Sequence, residues 1–250
     1  SHLLPMSEEK QHLPAGKPAT PPEKRSSAGE VDAFLKQVKA VSALRAPGNG
    51  RLILALDATM SRQPTWDMAC SLQAEMFDAV GKKDGLDVQL VYFRGLAECR
   101  ASRFVNDTGS LKRLMAGISC QGGHTQIGKV LAHALKERDG RKVDALVYIG
   151  DAMEEDLASL AEKAGTLGLR GVPVFVFQEG HDGVAESAFK EIARLSRVAW
   201  FRFDRNSAAT LAKLLSAVAV FAAGGVKALE ARGRPEDRLM IENLRGGGSR

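Results

Sequence analysis

The sequence predicts an open, doubly wound α/β domain: a mostly parallel six-stranded sheet with one antiparallel edge strand and helices on both faces. Three observations point there. Five short runs rich in Val, Leu, Ile and Phe, at Leu52 to Leu56, Val88 to Phe93, Ala145 to Ile149, Val172 to Phe177 and Ala199 to Phe203, read as strands covered on both sides. Stretches with apolar residues at helical spacing separate most of them. One segment, Glu98 to Val105, follows Val88 to Phe93 after only a few residues around Gly95. That gap is too short for a helix, so the chain returns as a hairpin.

Taken in order, residues 1–28 carry Pro5, Pro14, Pro18, Pro21 and Pro22 among Lys, Glu and Ser, with little to bury, and read as a disordered tail. Val31, Phe34, Leu35, Val38 and Val41 recur at helical spacing and predict a leading helix over 29–46, ended by Pro47-Gly48-Asn49-Gly50. The domain itself is expected over 51–225. Its helix stripes are Trp66, Ala69, Leu72, Met76 and Phe77; Ile127, Val130, Leu131, Ala134 and Leu135; Leu157, Leu160 and Ala164; and Phe189, Ile192 and Ala193. A fifth stripe, Leu211, Leu214, Leu215, Val218 and Phe221, is apolar on most faces from Ser207 to Ala223, as an interior helix would be, and is expected to stop at Gly224-Gly225. Residues 226–250, with five Arg from Arg232 onward and Gly246-Gly247-Gly248-Ser249 near the end, read as a largely flexible C-terminal tail.

The composition of the 250 residues, 44% hydrophobic and 26% charged, is that of a globular domain, and 35 basic against 30 acidic residues give a net charge of only +5. That charge does not by itself nominate nucleic acid. No run of 18 apolar residues is seen, so no membrane span is expected. Cys70, Cys99 and Cys120 lack C-x-x-C spacing, which predicts reduced thiols and a cytoplasmic setting. No G-x-x-x-x-G-K-[ST] or G-x-G-x-x-G loop is present.

In an open parallel sheet, ligands bind beyond the carboxyl ends of the strands. Three polar segments fall there. The first strand of the domain runs into Asp57-Ala58-Thr59-Met60-Ser61. Gln121-Gly122-Gly123-His124-Thr125 opens a helix. Ile149-Gly150 runs into Asp151, with Glu154, Glu155 and Asp156 beyond. Singly, each of these residues could be a helix cap or a turn residue. Together, two carboxylates and three hydroxyls arrive at one sheet edge from three loops. Hard oxygen donors of this kind suit Mg²⁺ or Mn²⁺ rather than zinc.

The pattern Asp57-x-Thr59-x-Ser61, then Thr125, then Asp151 resembles the metal-ion-dependent adhesion site of von Willebrand factor A domains, which reads Asp-x-Ser-x-Ser, a distant Thr and a distant Asp. The resemblance covers roughly Arg51 to Ala223. Thr59 stands where those domains have Ser, keeping the hydroxyl and adding a methyl, and Ala152 replaces a frequent Gly. The resemblance implies a Rossmann-like fold and a divalent cation, Mg²⁺ or alternatively Mn²⁺ or Ca²⁺. It further implies that Thr59 and Ser61 bind the cation directly, that Thr125 joins them in a ligand-engaged state, and that Asp57 and Asp151 act through waters. Neutral hydroxyls leave such an ion under-neutralised, so a partner protein's Asp or Glu can complete its shell. The expectation is a monomeric, non-enzymatic protein-binding module of bacterial, cytoplasmic type, with no catalytic residues.

Two other readings compete. A phosphatase of the haloacid-dehalogenase type also begins with Asp at the end of a first strand, but needs a second acid where Thr59 stands. A nucleic-acid reading rests on Arg94, Arg100, Arg103, Lys112 and Arg113 around the hairpin, near Tyr92, Phe93 and Phe104. It needs a continuous basic face. Of the histidines, His124 adjoins Thr125 at the rim, His133 lies mid-helix and His181 sits in a turn.

Overall fold

Leu52, Ile53, Leu54, Ala55 and Leu56 are each 2% exposed or less, the burial of a strand with helices on both sides. They lie at the centre of a computed structural model that describes residues 3–5, 48–59, 63–80, 85–198 and 200–246. The strands are β1 (Leu3–Pro5), β2 (Gly50–Asp57), β3 (Leu86–Arg94), β4 (Glu98–Val105), β5 (Ala145–Gly150), β6 (Val174–Glu179) and β7 (Trp200–Phe203). The helices are α1 (Gln63–Ala79), α2 (Thr108–Ala116), α3 (Ile127–Gly140), α4 (Leu157–Leu169), α5 (Gly183–Leu195), α6 (Ala208–Arg232) and α7 (Pro235–Gly246).

The sheet order is β1-β4-β3-β2-β5-β6-β7. Strands β3, β2, β5, β6 and β7 run parallel, and β4 pairs antiparallel with β3. Six of these strands, with the antiparallel hairpin, are the expected sheet, and β1 adds a seventh at the edge of β4. The chain leaves β2 for β3 on one side and later returns to β5 on the other, so the strand order reverses at β2. That reversal opens a crevice at the carboxyl ends of β2 and β5.

Two cores flank the sheet. On one face Leu54, Leu56, Val88 and Leu90 pack with Trp66 and Met76 of α1, Leu111 and Met115 of α2, and Leu211, Leu215 and Val218 of α6. On the other, Ile53, Val91, Leu146 and Val176 pack with Ile127, Val130 and Leu131 of α3, Leu160 and Leu167 of α4, and Phe189 and Ile192 of α5. Trp66 also donates its indole N–H to the Met115 carbonyl at 3.1 Å, locking α1 onto α2.

Four expectations need correction. The stretch 1–28 is not wholly a tail, because Leu3–Pro5 adds to the outer edge of β4, with Leu4 opposite Ala101. Beside this addition β4 bulges, so that Ser102 and Arg103 interrupt the register between Gln89/Phe104 and Val91/Ala101, and the Ser102 hydroxyl takes the Leu90 N–H at 3.0 Å. The leading helix expected over 29–46 lies outside the described residues.

Of the stretch 226–250, the described residues 226–246 are largely helical and not a tail. Helix α6 does not stop at Gly224-Gly225 but kinks at Gly225 (φ 73°, ψ −166°) and continues to Arg232, and α7 follows. Leu229, Met240 and Ile241 join the first core. Arg232 grips the fully buried Asp237 through Nε–Oδ2 at 2.7 Å and Nη2–Oδ1 at 2.8 Å, closing α7 back onto α6. Finally, α6 is long and apolar enough by length and composition to cross a membrane, contrary to the sequence expectation. In this fold it is a core helix, with 61% of its apolar window buried.

Candidate functional site

Strand β2 delivers Asp57 to the crevice, 2% exposed, where its Oδ1 accepts the Thr59 N–H at 3.0 Å. This local bond turns the chain out of the sheet and leaves Thr59 buried behind it. Ser61 lies outside the described residues. Thr125 is buried at the end of the loop that enters α3, and Asp151, half-buried, follows the last residue of β5.

Backbone and side-chain bonds join these three segments. The Gln121 N–H donates to the Ala58 carbonyl at 2.8 Å, tying the α3 loop to the end of β2. The Cys120 N–H donates to Gln63 Oε1 at 2.9 Å, tying the same loop to the start of α1. Thr125 Oγ1 accepts the Glu154 N–H at 3.0 Å, tying it to the loop after β5. Asp57, Thr59, Thr125 and Asp151 are thus carried by loops that are bonded to one another at one end of the sheet.

A fourth segment, missed by sequence reasoning, buttresses the α3 loop. The hairpin turn between β3 and β4 meets it at Gly95, whose N–H donates to the Gln121 carbonyl at 3.3 Å and whose carbonyl accepts the His124 N–H at 3.1 Å. Gly123 makes this approach possible, since a Cβ there would stand 1.8 Å from the Gly95 oxygen. Arg94 reaches across to the Ser119 carbonyl at 2.7 Å, and the Gln126 side-chain amide donates to the Arg94 and Glu98 carbonyls, each at 3.3 Å. The readable signal for this buttress was the Gly122-Gly123 pair, which a helix-opening loop alone does not require.

The electrostatics of the hairpin bear on the nucleic-acid reading. Arg94 Nε contacts Glu98 Oε2 at 2.8 Å and Arg100 Nε contacts Glu98 Oε1 at 2.9 Å. The Arg94 guanidinium, helped by Arg100 and the Tyr92 hydroxyl, holds the Glu98 carboxyl below the usual carboxylate range. Burial, reinforced by Glu98, pushes the Tyr92 phenol up to about 12. Two of the five hairpin cations are therefore engaged inside the fold, and Arg113 hydrogen-bonds Ser110 on its own helix.

The acids beyond Asp151 each have a structural partner. Glu154 meets His124 Nδ1 at 3.0 Å at the exposed rim, Glu155 accepts two N–H groups at the start of α3, and Asp156 caps α4 through the Ser159 N–H. Among the described residues no group of three or more His, Cys, Asp and Glu side chains is placed to hold a metal. The linked loops carry instead two buried hydroxyl residues, Thr59 and Thr125, and two carboxylate residues, Asp57 and Asp151. That donor chemistry fits a hard divalent cation better than a thiolate or imidazole cage would.

No protein-family model matches the sequence, and no curated protein matches it. Solved structures do. A proximal thread matrix protein from the mussel byssus superposes with a TM-score of 0.59 at 17% identity, over 78% of this chain and 53% of that one. The same mussel protein with a zinc-occupied metal-ion-dependent adhesion motif gives 0.56 at 18% identity, over 76% of this chain and 51% of that one. A von Willebrand factor type A protein from Catenulispora acidiphila gives 0.55 at 18% identity, over 70% of this chain and 43% of that one. The chain thus spans about half the length of these matched proteins. Neighbours at this identity speak to architecture, and on that evidence the chain has the fold of a von Willebrand factor A domain.

Proposed function

We propose that the chain is a non-enzymatic, metal-dependent protein-binding module. In this reading Thr59, Ser61 and Thr125 hold a divalent cation, Mg²⁺ or alternatively Mn²⁺ or Ca²⁺, with Asp57 and Asp151 behind them. The bound cation supplies an open coordination position for an Asp or Glu carboxylate of a partner protein. The observation that supports this most is the bonding of the three loops to each other, through Gln121 to Ala58 and Glu154 to Thr125. Loops held this way keep hard oxygen donors in place before a ligand arrives, which lowers the entropy lost on binding. Asp57 orients Thr59 through its backbone N–H, and the Glu154 N–H occupies one lone pair of the Thr125 hydroxyl, leaving the other to face a ligand. The zinc-occupied motif of the mussel protein supports a cation at this place in the fold. The proposed setting is a multiprotein complex in a cytoplasmic compartment, in keeping with the lack of C-x-x-C spacing among Cys70, Cys99 and Cys120.

The test is affinity capture with the wild-type chain and Asp57→Ala, with Mg²⁺ or with EDTA, alongside thermal unfolding in Mn²⁺. A cation at about 100 times its Kd should stabilise the wild type by about 2.7 kcal/mol, and Asp57→Ala and Ser61→Ala should lose that gain. Partners captured equally well in EDTA, or by Asp57→Ala, overturn the reading.

A further inference from the structure

We propose that Glu155 is a positioning residue for the metal site: it caps α3 from the loop that carries Asp151, and so holds Thr125 and Asp151 in register. The inference rests on the metal-site reading above and deepens it. Helices α2, α4 and α5 each cap themselves: Asp107, Asp156 and Asp182, each immediately before its helix, accept the first-turn N–H groups of Ser110, Ser159 and Ala185. Helix α3 does not. Its N-cap residue, Gln126, makes no side-chain cap bond, because its amide is turned toward the hairpin carbonyls of Arg94 and Glu98.

The open N–H groups of α3 are met from another loop. Ile127 N–H donates to Glu155 Oε2 at 2.7 Å and Gly128 N–H donates to Glu155 Oε1 at 2.8 Å, so both carboxylate oxygens are engaged. The adjacent residue bonds in the opposite sense, with Glu154 N–H donating to Thr125 Oγ1 at 3.0 Å. Residues 125–128 and 154–155 therefore form a closed bracket of three bonds. Thr125 lies two residues before Ile127, and Asp151 lies four residues before Glu155. The segments that carry these two candidate ligands are thus joined by bonds that include the Thr125 hydroxyl itself.

Charge adds a second effect. The N-terminus of a helix carries a partial positive charge, equivalent to about half an elementary charge, which would repel a cation held beside Thr125. The Glu155 carboxylate sits on that positive end and offsets it. Losing the carboxylate should thus weaken cation binding in two separable ways: by loosening the bracket and by unmasking the helix terminus.

The experiment measures Mn²⁺ binding to the full chain by the loss of the free-ion paramagnetic resonance signal. It compares the wild type, Glu155→Gln, Glu155→Ala and Asp182→Ala. Outer groups that orient metal ligands typically change affinity by about 10–100-fold when removed. Glu155→Ala should raise the Mn²⁺ Kd by about tenfold or more, and Glu155→Gln, which keeps one acceptor and loses the charge, should fall between it and the wild type. Asp182→Ala removes a helix cap of the same kind on α5 and should lower the melting temperature while leaving the Kd within about twofold. Mn²⁺ binding by Glu155→Ala within twofold of the wild type overturns the proposal, as does an equal loss in Asp182→Ala, which would mean that any lost cap suffices. A wild-type chain that binds no Mn²⁺ overturns the metal site itself, and this inference with it.

Discussion

Replacing Gly123 by Ala tests whether the hairpin truly braces the α3 loop. The added Cβ would stand 1.8 Å from the Gly95 oxygen and 2.2 Å from its carbonyl carbon, and both are backbone atoms that cannot rotate aside. The two segments must separate, which breaks His124 N–H to Gly95 O and Gly95 N–H to Gln121 O. At a net worth of about 1 kcal/mol per bond, the loss is about 2 kcal/mol. Residual strain of the overpacking kind brings the total to about 3 kcal/mol. Gly95→Ala is the control. Its Cβ would meet nothing within 4 Å, so only the left-handed backbone (φ 61°) opposes it, at about 1 kcal/mol. Urea unfolding followed by circular dichroism gives both values, and the Mn²⁺ Kd of Gly123→Ala should rise in parallel. Equal stability of the two variants would refute the bracing argument.

Two further predictions concern other parts of the molecule. His133 packs on Gln89 Oε1 at 2.9 Å near Glu137, Lys136 and Arg51, and burial, opposed by Glu137, pushes its pKa below the ordinary 6.5. The unfolded chain then takes up this proton first, so the stability His133 contributes is intact above pH 6.5 and is lost as pH falls through the depressed folded value. The urea midpoint of the wild type should drop more between pH 7.5 and 5.5 than that of His133→Gln, and parallel curves would contradict the assignment. Asp237→Asn leaves the Arg232 guanidinium, itself only 13% exposed, without its buried carboxylate and should cost about 3 kcal/mol. Trypsin should then cut near Arg234 and Arg238 in the variant under conditions that spare the wild type; identical digestion patterns would show that α7 does not depend on this pair.

What could be read in the sequence follows the strength of each local signal. The strands from Leu52, Val88 and Ala145 and the hairpin strand from Glu98 lie within two residues of their observed starts, because continuous apolar runs leave few alternatives. The start of β6, at Val174, trails its run by two residues. Helix α2 escaped notice because only Leu111 and Met115 of its nine residues are buried, too few to mark a stripe. Helix α7 escaped because its polar character hid Met240 and Ile241, although the pairing of Gly233 with Pro235 marked a stop and a fresh start. At the site, Asp57, Thr59, Thr125 and Asp151 were legible as polar residues at strand ends and before a helix. Glu155, Glu98, Arg94 and Gln63 were not, since each acts on a loop 25 or more residues away or on the hairpin, and pattern along the chain carries no record of which loops touch.

The margin of the sheet at β4 has one more consequence. A second molecule seeking to extend the sheet there would find Arg100 to Ser102 already covered by Leu3–Pro5, with the bulge at Ser102 and Arg103 at one end of that stretch. Joining of one sheet to the next is thereby discouraged by shape and by occupancy at the same few residues.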